Sequence, residues 1–153
     1  MWRVSVEQPA PGRPLTVTAS VRERADSLAG EEEAIAFVLR CSAPQLDAFI
    51  TTRDQLESNM TADVRVRVES DSVRARDARW QATKANTGAF VPTGDLRDLI
   101  QQRLRRTETL RVTIATQTRG RVTYTFAVGD IRPALDALRD ACPKERNGAL
   151  QER

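Results

Sequence analysis

Two cysteines are the residues of this 153-residue sequence whose side chains are the most chemically reactive. Cys41 stands in the stretch FVLRCSAPQL and Cys142 in the stretch LDALRDACPK, and the sequence contains no histidine. Without histidine, neither a Ser-His-Asp nor a Cys-His catalytic arrangement can form, and two cysteines supply too few ligands for a structural zinc site. No glycine-rich phosphate loop or nucleophile elbow is present either. Catalysis by carboxylates remains open in principle, but the sequence offers no pair of acids that would face into a cleft, as a glycan hydrolase needs. We therefore expect a protein that is not an enzyme and that has no metal and no cofactor.

The pattern around each cysteine points its side chain towards the core. Cys41 follows apolar residues at every second position of AIAFVLRC, as expected for the inner face of a central strand. Cys142 continues a helical stripe formed by Ile131, Leu135 and Leu138. If the helix packs on that strand, the two sulfurs meet in a disulfide; the other interpretation is two buried thiols. We predict the disulfide Cys41–Cys142, which implies an oxidising compartment, the periplasm or the cell exterior.

The elements that must position these residues are strands followed by helices. Period-two alternation predicts about seven or eight strands, and helical spacing predicts helices near residues 93–106 and 130–142. The predicted fold class is α+β, an antiparallel sheet forming a sandwich or half-barrel, with the C-terminal helix tied to a central strand. Residues 1–143 are predicted to form one globular domain and residues 144–153 a flexible tail. The charged stretch at residues 23–33 is predicted to be a surface loop.

Arginines on the polar faces of predicted strands are the first candidate binding residues. Arg65 and Arg67 alternate with valines in DVRVRVES, and Arg111 lies in TLRVTIATQT. Arginine suits phosphate and carboxylate groups, so these side chains are candidates for an anionic phosphate, glycan or nucleic-acid ligand. The competing interpretation is a solvated strand face whose arginines pair with acids.

A second candidate is the polar stretch WQATKANTGAF. Asn86 and Thr87 lie there between two large aromatics, Trp80 and Phe90. The stretch is predicted to be either a ligand-contacting loop or an ordinary loop anchored by two core aromatics.

Residues 35–143 resemble the VasI/TagO family, which is associated with bacterial type VI secretion. The series LRC, LDAFITT, VRVRVES and LRVTI carries the resemblance. Its most specific parts are the cysteine pair, the ending TF…AL..LRDAC, and the positions Trp80, Thr83, Phe90 and Pro92. The family pattern has a serine at the position of Thr83 followed by an acid, whereas Lys84 follows here. A role for that acid therefore does not carry over to this chain.

The resemblance implies an exported envelope protein without known catalysis. We predict a periplasmic or secreted accessory or binding protein, whose signal peptide is absent from this sequence and whose partner is another envelope protein or peptidoglycan. No apolar run reaches the ~18 residues of a membrane span. The alternative is a nucleic-acid-binding module that uses the arginine-bearing strands, in line with a pI of 9.4. We do not expect nucleic acid as a partner, because two Trp, one Tyr and four Phe leave little for base stacking. The oligomeric state is not predicted.

Overall fold

The computed structural model describes residues 1–8, 10–23, 35–71 and 73–151. Most of the predicted loop at residues 23–33, and residues 152–153 of the predicted tail, lie outside them. Nine antiparallel strands form one sheet in the order β1-β2-β3-β4-β7-β6-β5-β8-β9. The strands are β1 (Arg3–Glu7), β2 (Thr16–Arg22), β3 (Ala36–Ser42), β4 (Gln45–Thr51), β5 (Asp63–Ser70), β6 (Arg76–Ala82), β7 (Gly88–Phe90), β8 (Thr109–Thr116) and β9 (Gly120–Ala127).

The predicted α+β class is confirmed, with one more strand than expected. The additional strand, β7, pairs with β4 on one side and β6 on the other, so it joins the two halves of the sheet. It is only three residues long. A strand this short has too few positions to show alternation, so the sequence pattern predicts a loop there.

The single sheet curls towards a half-barrel. Glu23, just after β2, forms an isolated bridge with Phe126 of β9, at the opposite side of the sheet. Inside the curl, the rings of Phe37 and Phe126 lie 6.1 Å apart. Of the two predicted forms, the half-barrel therefore describes the sheet, and the described residues contain no second sheet that would make a sandwich.

The first predicted helix is a composite of short turns. A 3-10 turn (Thr93–Asp95), an α-helical turn α1 (Leu96–Asp98), a π-helical stretch (Leu99–Arg103) and a 3-10 turn (Leu104–Arg106) follow one another. The apolar spacing still has its predicted effect, because the side chains of Leu96, Leu99, Ile100 and Leu104 are buried.

The π-helical stretch ends on a buried arginine. The Arg103 guanidinium donates to the backbone carbonyls of Val68 (3.2 Å) and Arg74 (2.7 Å). Burial lowers the pKa of Arg103 from its ordinary value. These bonds tie the helical segment to the end of β5 and to the connection between β5 and β6.

The second predicted helix, α2 (Arg132–Ala141), lies over the inner face of β2 and β3. Its buried side chains are Ala134, Leu135 and Leu138, the stripe that the sequence spacing predicts. No helix among the described residues is long and apolar enough to cross a membrane.

The chain after α2 packs back on the helices. Ala149 and Leu150 are buried, and Gln101 donates hydrogen bonds of 2.7 Å to the carbonyls of Ala149 and Gln151. Arg139 of α2 donates to the carbonyl of Leu150 at 2.8 Å. From the sequence, these residues are predicted to form a tail with little to bury. The structure instead has two apolar side chains seated in the core, and the predicted flexibility of the tail stays a prediction.

Candidate functional site

A disulfide joins the central strand to the last helix. Cys41 near the end of β3 and Cys142 just after α2 are both buried, and their Cα atoms lie 6.1 Å apart. Cys41 faces the core because it stands opposite Val17 of β2 and Leu46 of β4, both buried. The predicted pairing is confirmed, across a sequence separation of 101 residues.

The three predicted arginines lie together on the outer face of the sheet. Arg67 of β5 forms ion pairs of 3.6 Å with both Glu69 and Asp77. Arg111 of β8 stands opposite Glu69 in the strand register. Acids therefore offset much of this charge, as the competing interpretation of the sequence predicts.

Arg65 differs from its neighbours, because its partner across the strands is another arginine, Arg79 of β6. A cavity of about 300 Å³ lies over this pair, lined also by Asp77 and Arg121. Alternation in RDARWQA and GRVTYTFA places Arg79 and Arg121 on polar faces, a signal that the sequence analysis did not use.

Asn86 and Thr87 lie apart from these arginines, in the turn between β6 and β7. The Asn86 side chain donates to the carbonyl of Leu56 at 2.5 Å, and its backbone carbonyl accepts from the Leu56 N–H at 2.8 Å. The Thr87 carbonyl accepts from both the N–H and the hydroxyl of Thr52. In this structure both residues hold the chain after β4 against the turn.

A polar cluster that the sequence analysis missed fixes the same connection to the β8–β9 hairpin. The Asp54 carboxylate accepts two hydrogen bonds from Arg119, at 2.9 and 2.7 Å, and one from the Tyr124 hydroxyl at 2.5 Å. The Arg119 hydrogen bond, ahead of the Tyr124 one, lowers the pKa of Asp54. Burial and the Asp54 hydrogen bond raise the pKa of Tyr124. No sequence motif links residues 65 and more positions apart, so only the folded chain reveals the cluster.

A cationic hollow lies beside the first helical segment. We call it the arginine groove: a cavity of about 510 Å³ lined by Arg97, Arg105, Arg106 and Arg132, with glutamines and two glycines. Its single acidic lining residue, Asp98, forms an ion pair of 3.5 Å with Arg76. The groove therefore has an excess of positive charge in a concave surface, the arrangement that favours carboxylate or phosphate groups.

Two kinds of arginine line this groove. Arg105 is held in place, since it donates to the Gln101 side chain at 2.9 Å and to the Gln151 carbonyl at 3.1 Å. Arg97 and Arg132 are exposed and make no ion pair or hydrogen bond with another described side chain. Exposed guanidinium groups beside a positioned one can adapt to an incoming anion.

An adjoining hollow of about 430 Å³ shares three of these arginines but has more acids. Glu108, Asp130 and Asp136 line it, and Asp136 pairs with Arg139 at 3.1 Å. The positive excess is thus concentrated in the arginine groove. In sequence, Arg105 and Arg106 are explained as favourable charges at a helix end, and only packing brings Arg132 to them.

The described residues contain no group of three or more His, Cys, Asp or Glu side chains placed to hold a metal ion. Fold and site together define a class of protein: a curled antiparallel sheet joined to its C-terminal helix by a buried disulfide, with basic hollows on its surface. No family model matches the sequence, and no curated protein matches it.

A solved structure does share the fold. The crystal structure of invasion associated protein B from Bartonella henselae is similar with a TM-score of 0.54, covering 91% of this chain and 92% of that chain. The two sequences are 10% identical, so the likeness concerns the fold alone.

Proposed function

We propose that this protein is a non-enzymatic, exported accessory or binding protein of the bacterial envelope, related to the VasI/TagO proteins. The observation that carries the proposal is the buried Cys41–Cys142 disulfide. Disulfides form and persist in the periplasm or outside the cell and are rare in a reducing cytosol.

The proposed mode of action is a contact with an anionic partner. The arginine groove is the best surface for it, because four arginines face a single, already paired acid. A partner protein with exposed carboxylates or the acidic groups of peptidoglycan would neutralise this charge. Type VI secretion is the cellular setting that the family resemblance implies, and it is part of the same proposal.

A thiol titration on protein recovered from its own cells tests the export proposal. Cells are quenched with acid and the protein is unfolded without reductant, so that every free thiol reacts with a maleimide reagent. We expect no labelling before reduction and labelling of both cysteines after it. Fractionation of the same cells should place the protein in the periplasm or the medium.

A Cys41→Ala/Cys142→Ala variant gives the background of the titration. Two thiols that react without reductant in the native compartment would contradict the proposal, whatever the purified protein does in air.

A further inference from the structure

Within the part of the chain that the structure describes, no strand pairs with the outer edge of the first strand of the sheet. β1 pairs with β2 on one side and is the end strand of the sheet on the other. All five of its residues are exposed, and its two valines, Val4 and Val6, are 44% and 59% exposed. Natural edge strands are usually protected by short length, charged side chains, proline or a bulge, because their unpaired N–H and C=O groups recruit other strands. The five-residue strand RVSVE has no proline and carries two charges, Arg3 and Glu7, so another strand can join this edge only where its own charges complement these two.

The sequence of β1 is complementary to itself in one antiparallel register. Pairing centred on Ser5 places Arg3 opposite Glu7 and Val4 opposite Val6, and the two-fold axis repeats both pairs. A shift by one residue would place the valines opposite polar residues, and the valines of the second copy would point to the other face of the sheet. A shift by two leaves a charged residue opposite an uncharged one. Only the Ser5-centred register therefore matches charge with charge and valine with valine.

We propose that β1 pairs antiparallel with β1 of a second copy of this chain, centred on Ser5, so that two sheets continue across a two-fold axis. The valines lie on the face that they share with Val17 and Ala19 of β2, so the four valines of two copies form a continuous apolar strip. Arg3 also interacts within its own chain, so the register, and not an isolated arginine, is the basis of the inference. The inference is independent of where the protein resides.

The contact is small, and this determines how it has to be measured. Stable interfaces bury about 1,600 Å² in total. Two five-residue strands that pair with each other bury less than this. The dimer should therefore dissociate on dilution. Sedimentation velocity from about 1 µM to about 1 mM of oxidised protein covers the range of weak association constants.

Charge reversal tests the register directly. Arg3→Glu alone and Glu7→Arg alone each place like charges opposite one another twice, and we expect each to weaken the dimer about tenfold. The double variant Arg3→Glu/Glu7→Arg restores opposite charges in the same register and should restore the dimer. This rescue separates the proposal from a general effect of surface charge.

Docking of β1 on its own sheet is monitored in every variant. The Trp2 indole donates to the Val128 carbonyl at 3.0 Å, so a detached β1 would change the tryptophan emission. A monomer at every concentration, or a dimer that neither single reversal weakens, would overturn the proposal. A dimer that the single variants weaken and the double variant does not restore would overturn the Ser5 register.

Discussion

Asp54 shows how one residue of a loop can organise distant parts of this chain. Its carboxylate is 14% exposed and receives the hydrogen bonds of Arg119 and Tyr124 from the β8–β9 hairpin. Because hydrogen bonds to a charged group are stronger than those between neutral groups, this carboxylate is a strong link between loop and sheet.

Replacing Asp54 with asparagine should destabilise the protein in a pH-dependent way. The pKa of Asp54 is lowered in the folded protein, chiefly by the Arg119 hydrogen bond, below the usual value of 3.8. Its stabilisation is therefore present above that usual pKa and is lost as the pH falls through the lower folded pKa. We expect Asp54→Asn to reduce the free energy of unfolding by about 2 kcal/mol near neutral pH.

Urea unfolding of the wild type and of Asp54→Asn at neutral pH and in increasingly acidic buffers measures the difference in their free energies of unfolding. This difference should become smaller in acid, where the wild-type carboxylate also takes up a proton. Asp77→Asn is the matched control, because Asp77 is 78% exposed and lies 3.6 Å from its arginine, and it should change stability by less than about 0.5 kcal/mol. A difference that is equal at all pH values would mean that packing, and not charge, explains the Asp54 effect.

The sequence predicts the orientation and contacts of some of these residues but not of others. Cys41 and Cys142 lie in phase with a strand and a helix, so their inward direction follows from local periodicity. Asp54 and Arg119 have no such signal, since a loop acid and a turn arginine look like ordinary surface residues until the hairpin returns to the loop.

At the scale of elements, the arginine groove and the arginine-bearing sheet face are the two candidate anion sites. The groove joins the first helical segment to the start of α2, whereas the sheet face spans β5, β6 and β9. Three arginines and one acid, Asp77, line the sheet-face hollow, whereas four arginines and one acid, Asp98, line the groove. We therefore expect the groove to bind anions more tightly.

Paired charge removals distinguish these two surfaces. Arg97→Gln/Arg132→Gln removes two charges from the groove, and Arg65→Gln/Arg79→Gln removes two from the sheet face. We expect the groove variant to bind inorganic pyrophosphate about tenfold more weakly than wild type, while the sheet variant is nearly unchanged. Isothermal titration at constant ionic strength makes the comparison.

If the sheet variant loses more pyrophosphate affinity than the groove variant, the anion site lies on the sheet face and not in the groove. Salt-sensitive retention of the wild-type protein on DNA or RNA, lost in the sheet variant, would favour the alternative of a nucleic-acid module. The expectation that nucleic acid is not a partner stays a prediction until that measurement.

The elements themselves were largely predictable. Alternation predicts every strand of five or more residues, because one side of each strand meets the core and the other meets solvent. It does not predict β7, whose three residues extend only because β4 and β6 provide edges on both sides. Apolar spacing likewise predicts a helix at 93–106 but not its π-helical stretch, which ends at the buried Arg103.

At the scale of the whole molecule, the disulfide links two ends of the fold that are distant in sequence. It closes a loop of 101 residues between β3 and the end of α2. A covalent link of that length restricts the unfolded chain strongly, which increases the relative stability of the folded one.

Removing the disulfide should cost much of the stability of the domain. We expect the Cys41→Ala/Cys142→Ala variant to lose about 4 kcal/mol of unfolding free energy relative to the oxidised protein. Denaturant titration followed by circular dichroism measures it, with wild type in excess reductant as the matched control. A loss below about 1 kcal/mol would mean that the packing of α2 on the sheet is sufficient without the covalent link.

The sequence by itself determined the α+β class, the antiparallel strands, both helical regions and the inward direction of the two cysteines. All of these follow from periodicity, which reports locally whether a side chain meets core or solvent. Only the tertiary structure decided which arginines gather in a groove, which strand remains at the edge, and that Ala149 and Leu150 return to the core. Those features depend on contacts between residues far apart in the chain, and the pattern of neighbouring residues does not encode them.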